Sequence, residues 1–125
     1  EKQRPDGGWG ESYLSSSKKS YHHASESQVV NTAWAMLAFL AGTEGVASAE
    51  AQARPILERA AAFLLRMQDP NGDWPQQLIS GVFNHNCMIT YANYRNIFPL
   101  WALGEYRTRY LVGRNSKRRS SGVTR

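Results

Sequence analysis

Two seven-residue segments, QRPDGGW at 3–9 and QDPNGDW at 68–74, align without a gap. Each carries Gln, three residues, Gly, one residue and Trp, and the second copy lies 65 residues after the first. A repeat of this length constrains the fold strongly, because stacked copies of one supersecondary unit bury a shared core. A second pair of segments keeps nearly the same spacing. NTAWAMLAFLAG surrounds Trp34, and FPLWALGEY places Trp101 67 residues further on. The chain therefore reads as two copies of one unit, each with a turn motif and apolar helices.

Three helices are expected. Residues 28–40 are apolar almost all round, with Ser25 or Ser27 available as N-cap and Gly42 as a stop. Residues 51–68 are amphipathic: Ile56, Ala60, Phe63, Leu64 and Met67 share a stripe, with Arg54, Glu58, Arg59 and Arg66 mostly off it. Pro55 suits the first turn of that helix. Residues 96–111 form the third, with Pro99 near its start. Strand signals are poor, so the fold class is all-α, built from helical hairpins.

The repeated turn has its own chemistry. Gly7, Gly8 and Gly72 permit the tight or positive-φ backbone needed where the chain reverses. The amides of Gln3 and Gln68 both donate and accept, so they can satisfy orphan groups at helix ends. Trp9 and Trp74 can shield those amides from water. Asp6 and Asp73 sit in the turns and are read as turn formers, not catalysts.

Charge excludes some functions. The 15 Lys and Arg outnumber the 10 Asp and Glu, for a formal net charge of +5. Arg114, Lys117, Arg118, Arg119 and Arg125 all lie in 112–125 without an acid, so the rest of the chain is balanced. Residues 112–125 are read as a solvated basic tail and 1–111 as the folded unit. The body offers no basic face interleaved with aromatics, so no nucleic-acid partner is expected. The single Cys87 excludes an intrachain disulfide. His22 and His23 are adjacent, and His85 with Cys87 lacks a second ligand pair, so no metal is expected. The three histidines are read as solvent-facing or loop-capping, and Asn84, Asn86, Asn93 and Asn96 as turn and cap residues.

GVFNHNCMITYANYRNIFP, residues 81–99, combines aromatic rings with almost no charge. The motif Arg59-Ala60, Phe63-Leu64, Gln68, Gly72, Trp74 resembles the QW repeat of the squalene and oxidosqualene cyclases. DGGWGESYLS, VVNTAWAMLA and the run from Gly81 to Glu105 are similar to consecutive C-terminal segments of the oxidosqualene cyclases. Within that family, GESYLS and NCMITYANYRNIFPLWALGEY are most like the cycloartenol-forming members of plants and algae.

The resemblance implies a partial (α/α)6 barrel and a C-terminal piece of a longer isomerase. It also implies a monotopic protein on endoplasmic-reticulum or lipid-droplet surfaces, and a lipid substrate, 2,3-oxidosqualene, handled without a cofactor. Such cyclases protonate the epoxide, guide a carbocation through ring closures and shifts, and remove a proton. The family's acid belongs to an Asp-Cys-Thr-Ala-Glu motif that does not occur in this sequence. What the resemblance implies here is a cation-handling wall. Phe83 and Tyr91 correspond to active-site aromatics, Cys87 and Ile89 line the cavity, and Tyr94 supports it. Gln3, Gly7, Trp9, Gln68, Gly72 and Trp74 are the structural motif residues. Residue by residue, plain packing competes with each role: Cys87 suits a small buried hydrophobe, and Trp34 and Trp101 suit core positions. The competing function is a non-catalytic helical-repeat interaction module.

Overall fold

The computed structural model describes residues 2–79, 81–84 and 87–112. His85, Asn86 and the basic residues from Arg114 to Arg125 lie outside the described residues. Three helices dominate: α2 (Val29–Gly42), α3 (Ala47–Met67) and α4 (Ala92–Tyr106), with a short α1 (Leu14–Lys18) before them. Residues Arg107–Val112 continue α4 in π-helical form. Two antiparallel hairpins join them, β1 (Trp9–Glu11) with β2 (His23–Gln28) and β3 (Gly81–Phe83) with β4 (Cys87–Ile89).

The helices lie close to where the sequence puts them, and they bury its apolar stripes. A four-residue connection containing Gly45, with φ of 75°, joins α2 to α3 as a helical hairpin. Val29, Ala33, Met36 and Leu40 of α2 meet Leu57, Ala60, Phe63 and Leu64 of α3 in one core. Ala102 and Tyr106 of α4 join the same core, with α4 packed chiefly against α2 and in part against α3. The helix starts need correction. Pro55 lies inside α3, which begins at Ala47, and Pro99 is interior to α4, which begins at Ala92. Asn93 and Asn96 are consequently helical rather than turn residues. Asn84 does take a left-handed turn conformation, with φ of 50°.

Neither serine caps α2. Its first N–H, at Val29, donates 2.7 Å to Gln77 Oε1, a partner 48 residues away. Ser27 Oγ donates instead to Asp6 Oδ1 at 2.8 Å. The other end of α2 is closed by Thr43, whose N–H and hydroxyl both donate to the Phe39 carbonyl. Arg109 donates to the Leu40 carbonyl and pairs with Glu44 at 3.3 Å, while Tyr110 donates to Glu50 O at 3.2 Å. The end of α4 is thereby fastened to the α2–α3 hairpin, in part through the Leu40 carbonyl, one of the last-turn groups of α2 that the helix leaves unpaired.

The strands are a further departure. HASESQ carries no apolar alternation, yet β2 pairs with β1 and buries Ala24, Ser27 and Gln28. Its pairing does not follow from its own side-chain pattern and depends on a close approach of β1. Gly10 shows why: a Cβ there would lie 2.2 Å from Glu26 O, so a side chain would push the strands apart.

Candidate functional site

The two aligned motifs fold into the same turn. Arg4 N donates to Gly8 O and Gly7 N to Arg4 O in the first copy; Asp69 N donates to Asp73 O and Gly72 N to Asp69 O in the second. Gly7 and Gly72 both take positive φ, 93° and 88°. Gln3 Nε2 donates to Gly7 O at 2.9 Å, and Gln68 Nε2 to Gly72 O at 2.8 Å. The copies differ in what they hold. Gln3 Nε2 also reaches Ile56 O of α3 at 2.9 Å, and Gln3 Oε1 accepts from Arg59. Trp74, 1 % exposed, donates its indole N–H to Leu64 O at 2.9 Å, satisfying a last-turn carbonyl of α3.

Asp6 and Asp73 act as the sequence suggests, within the turns. Asp6 Oδ1 accepts from Gly8 N as well as Ser27 Oγ. Asp73 accepts from Trp74 N through Oδ1 and pairs with Arg95 through Oδ2 at 2.6 Å. The Arg95 hydrogen bond, followed by the Trp74 N–H, holds the Asp73 carboxyl below the usual carboxylate range. A carboxyl depressed on folding gives stability that is present above its unfolded value of about 3.9 and is lost as pH falls through the folded value. Urea midpoints measured from pH 6 down to pH 2 are therefore expected to fall less steeply for Asp73→Asn than for the unaltered protein at the acid end.

The second motif leads directly to an aromatic face on α4. Tyr91 precedes the first helical residue, and Tyr94, Phe98 and Trp101 follow at spacings of three, four and three, which place all four on one side. Their ring centroids step along the helix at 5.0, 5.5 and 6.3 Å. Trp34 of α2 sits edge-on to Tyr94 and Phe98 at 5.8 and 5.5 Å. Tyr91 and Trp101 are about half exposed, and Ile97 and Leu100 extend an apolar exposed surface beside them.

The residues singled out in the sequence divide into two groups. Tyr91 and Tyr94 touch, and Ile89 lines the same small cavity as both. Phe83 pairs in register with Cys87 across the β3–β4 hairpin, is 61 % exposed, and joins no ring pair among the described residues. Cys87 is exposed on this chain. Trp101 is no core residue, being 53 % exposed with its indole N–H 3.3 Å from Glu105 Oε1. Trp34 and Phe98 belong to the aromatic face although the sequence suggested packing alone for Trp34 and nothing for Phe98. The three- and four-residue spacing from Tyr91 to Trp101 is the signal that finds them. His23 is exposed and stacks edge-on against Tyr21; His22 is half-buried, with Nε2 3.2 Å from Ser20 Oγ.

Such a surface can do one of two things. Ring faces carry negative quadrupole and attract cations, by about 0.5–2 kcal/mol per well-placed ring. They also form a packing surface for apolar partners. The model of the squalene-hopene cyclase C-terminal domain matches residues 1–108. The chain belongs to that family. This cyclase-family chain is 54% identical over 102 residues to the cycloartenol synthase of Dictyostelium discoideum, covering 82% of the chain. It is 46% identical over 109 residues to the lanosterol synthase of Homo sapiens and 43% identical over 117 to the alpha-onocerin synthase of Lycopodium clavatum, covering 87% and 91% of the chain. It spans 14% of the length of each of these relatives. The fold is accordingly that of the all-α terpenoid cyclases, with two small hairpins set among the helices.

Proposed function

We propose that this chain forms part of the cavity wall of an oxidosqualene cyclase, one that converts (S)-2,3-oxidosqualene to a sterol or triterpene precursor. Cycloartenol is the product favoured, with lanosterol next, in line with 54% identity to a cycloartenol synthase against 46% to a lanosterol synthase. The observation that carries the proposal is the aromatic face from Tyr91 to Trp101, about half exposed at its two end residues, on a chain of this family. A carbocation needs stabilisation by groups that do not trap it, and aromatic rings in an apolar enclosure supply that while keeping water away.

Phe83 and Tyr91 are assigned to the cation: Phe83 during late ring formation, Tyr91 in the hydrogen-bonding region where the final proton leaves. Cys87 and Ile89 line the cavity and Tyr94 braces Tyr91. No residue here protonates the epoxide, since the Asp-Cys-Thr-Ala-Glu motif is absent from the 125 residues. By itself the chain is inactive and relies on the remainder of an (α/α)6 barrel. The partners are the lipid substrate and, through the whole protein, the surface of the endoplasmic reticulum or a lipid droplet. No helix among the described residues is long and apolar enough to cross a membrane.

The test is product analysis by mass spectrometry after supplying oxidosqualene to the full-length protein. Phe83→Ala and Tyr91→Ala are expected to lower turnover by up to about 30-fold, the equivalent of one ring's 2 kcal/mol, and to divert product toward incompletely rearranged triterpenes. Unchanged rates and products in both variants would overturn the assignment. Unreacted substrate with the unaltered, folded protein would overturn the cyclase activity itself.

A further inference from the structure

Tyr91 is the residue of the aromatic face that its own helix holds least. It stands just before α4 with extended backbone, φ −105° and ψ 113°, makes no side-chain capping bond and is half exposed. A side chain so placed loses little by changing rotamer, so a neighbour has to fix its ring. Among the described residues that ring pairs with one other, Tyr94, at a centroid distance of 5.0 Å.

Tyr94 is held in turn by a closed triangle of rings. Trp34 lies 5.8 Å from Tyr94 and 5.5 Å from Phe98, and Tyr94 lies 5.5 Å from Phe98. The interplanar angles are 65°, 75° and 69°, so every pair is edge to face, with the positive rim of one ring against the negative face of the next. Two sides of the triangle meet at Trp34, the one corner that α4 does not supply. Tyr94 and Phe98 share a helix, so their own contact ties neither to the rest of the molecule. Trp34 does, because α2 is a firm base whose Ala33 and Met36 are fully buried. Phe39, the other ring of α2, pairs with Trp9 instead, at 6.0 Å.

We infer that Trp34 is a positioning residue for Tyr91, acting through Tyr94. It holds the Tyr94 ring edge-on, and Tyr94 then presents Tyr91 in one orientation. The inference rests on the assignment of Tyr91 to the region where the final proton leaves. On that basis Trp34 determines product, not substrate affinity.

The test uses the full-length protein, with crystal structures and with product analysis after supplying (S)-2,3-oxidosqualene. Trp34→Leu keeps an apolar side chain without a ring, and Trp34→Phe restores a ring. Trp34→Met fills the space flexibly and serves if the Leu variant fails to fold. In Trp34→Leu the Tyr91 ring is expected to leave its place or to divide between two. The ratio of main product to misdirected products should fall about 2- to 10-fold, the range for one edge-to-face pair, with KM unchanged. Trp34→Phe should recover most of that ratio. A residue that only supported folding would lower the amount of active protein and leave the ratio alone. A Tyr91 ring unmoved in Trp34→Leu overturns the inference, whatever the products. So do unchanged products in Trp34→Leu where Tyr91→Ala, run alongside, alters them, and the cation assignment then stands. Unchanged products in Tyr91→Ala overturn the cation assignment instead, and a displaced Tyr91 ring still upholds the positioning by Trp34.

Discussion

Trp74→Ala is expected to destabilise the protein by about 3–5 kcal/mol, the range for truncating a buried aromatic ring. Trp74 is 1 % exposed and sits in the core shared by α2, α3 and α4. Truncation opens a void in that core, and it also strands the Leu64 carbonyl, which accepts the indole N–H at 2.9 Å. Trp74→Phe separates the two losses. It keeps most of the ring and forfeits the hydrogen bond, so it should cost about 1–3 kcal/mol. The damage will reach beyond α3. Trp74 fixes the start of the segment that delivers Gln77 to the first N–H of α2, and its carbonyl holds Arg95 of α4. Equilibrium urea unfolding of the three proteins, compared at equal slope, measures the differences. A Trp74→Ala protein within 1 kcal/mol of the unaltered one would show that the turn hangs on the surface and organises nothing.

The reach of that turn explains which parts of the fold could be read in the sequence. The helices were legible because Val29, Met36 and Leu40, or Ala60, Phe63 and Leu64, mark their faces within a single element, although Leu57 is buried where the stripe put Ile56. The caps were not, because they come from far along the chain: Gln77 serves Val29, Arg109 serves Leu40, and no local pattern encodes either. The β1–β2 hairpin escaped for a related reason, since Ala24, Ser27 and Gln28 are buried by neighbouring segments rather than by a hydrophobic stripe of their own.

The candidate site was partly visible. Tyr91 and Tyr94 stand out against the asparagines around them, and they do meet. Trp101 was misread because α4 is apolar on both sides. Ala102 and Tyr106 bury one face on α2, while Ile97, Leu100 and Trp101 leave another exposed. Periodicity cannot say which apolar face a helix uses when both would serve.

The two glycines at equivalent places in the repeat are expected to respond very differently to the same change. Gly7→Ala should cost about 2–5 kcal/mol and Gly72→Ala about 1–2 kcal/mol. Both take positive φ, so both variants bear the conformational cost of a side chain in that region. What differs is the space. A Cβ at Gly7 would lie 2.4 Å from the Arg59 carbonyl oxygen and 2.9 Å from its carbon, atoms of a helix backbone that cannot step aside alone. A Cβ at Gly72 meets nothing within 4 Å. Overpacking a rigid neighbour adds about 1–3 kcal/mol to the first variant and nothing to the second. Displacing the first turn from α3 would also break the Gln3 bond to Ile56 O, so Gly7→Ala should loosen the β1–β2 hairpin as well. Hydrogen exchange at Trp9 and Gly10 is the measurement that separates this local release from uniform destabilisation. Equal losses for the two variants would mean that strain in the turn, and not its seat on α3, makes these glycines necessary.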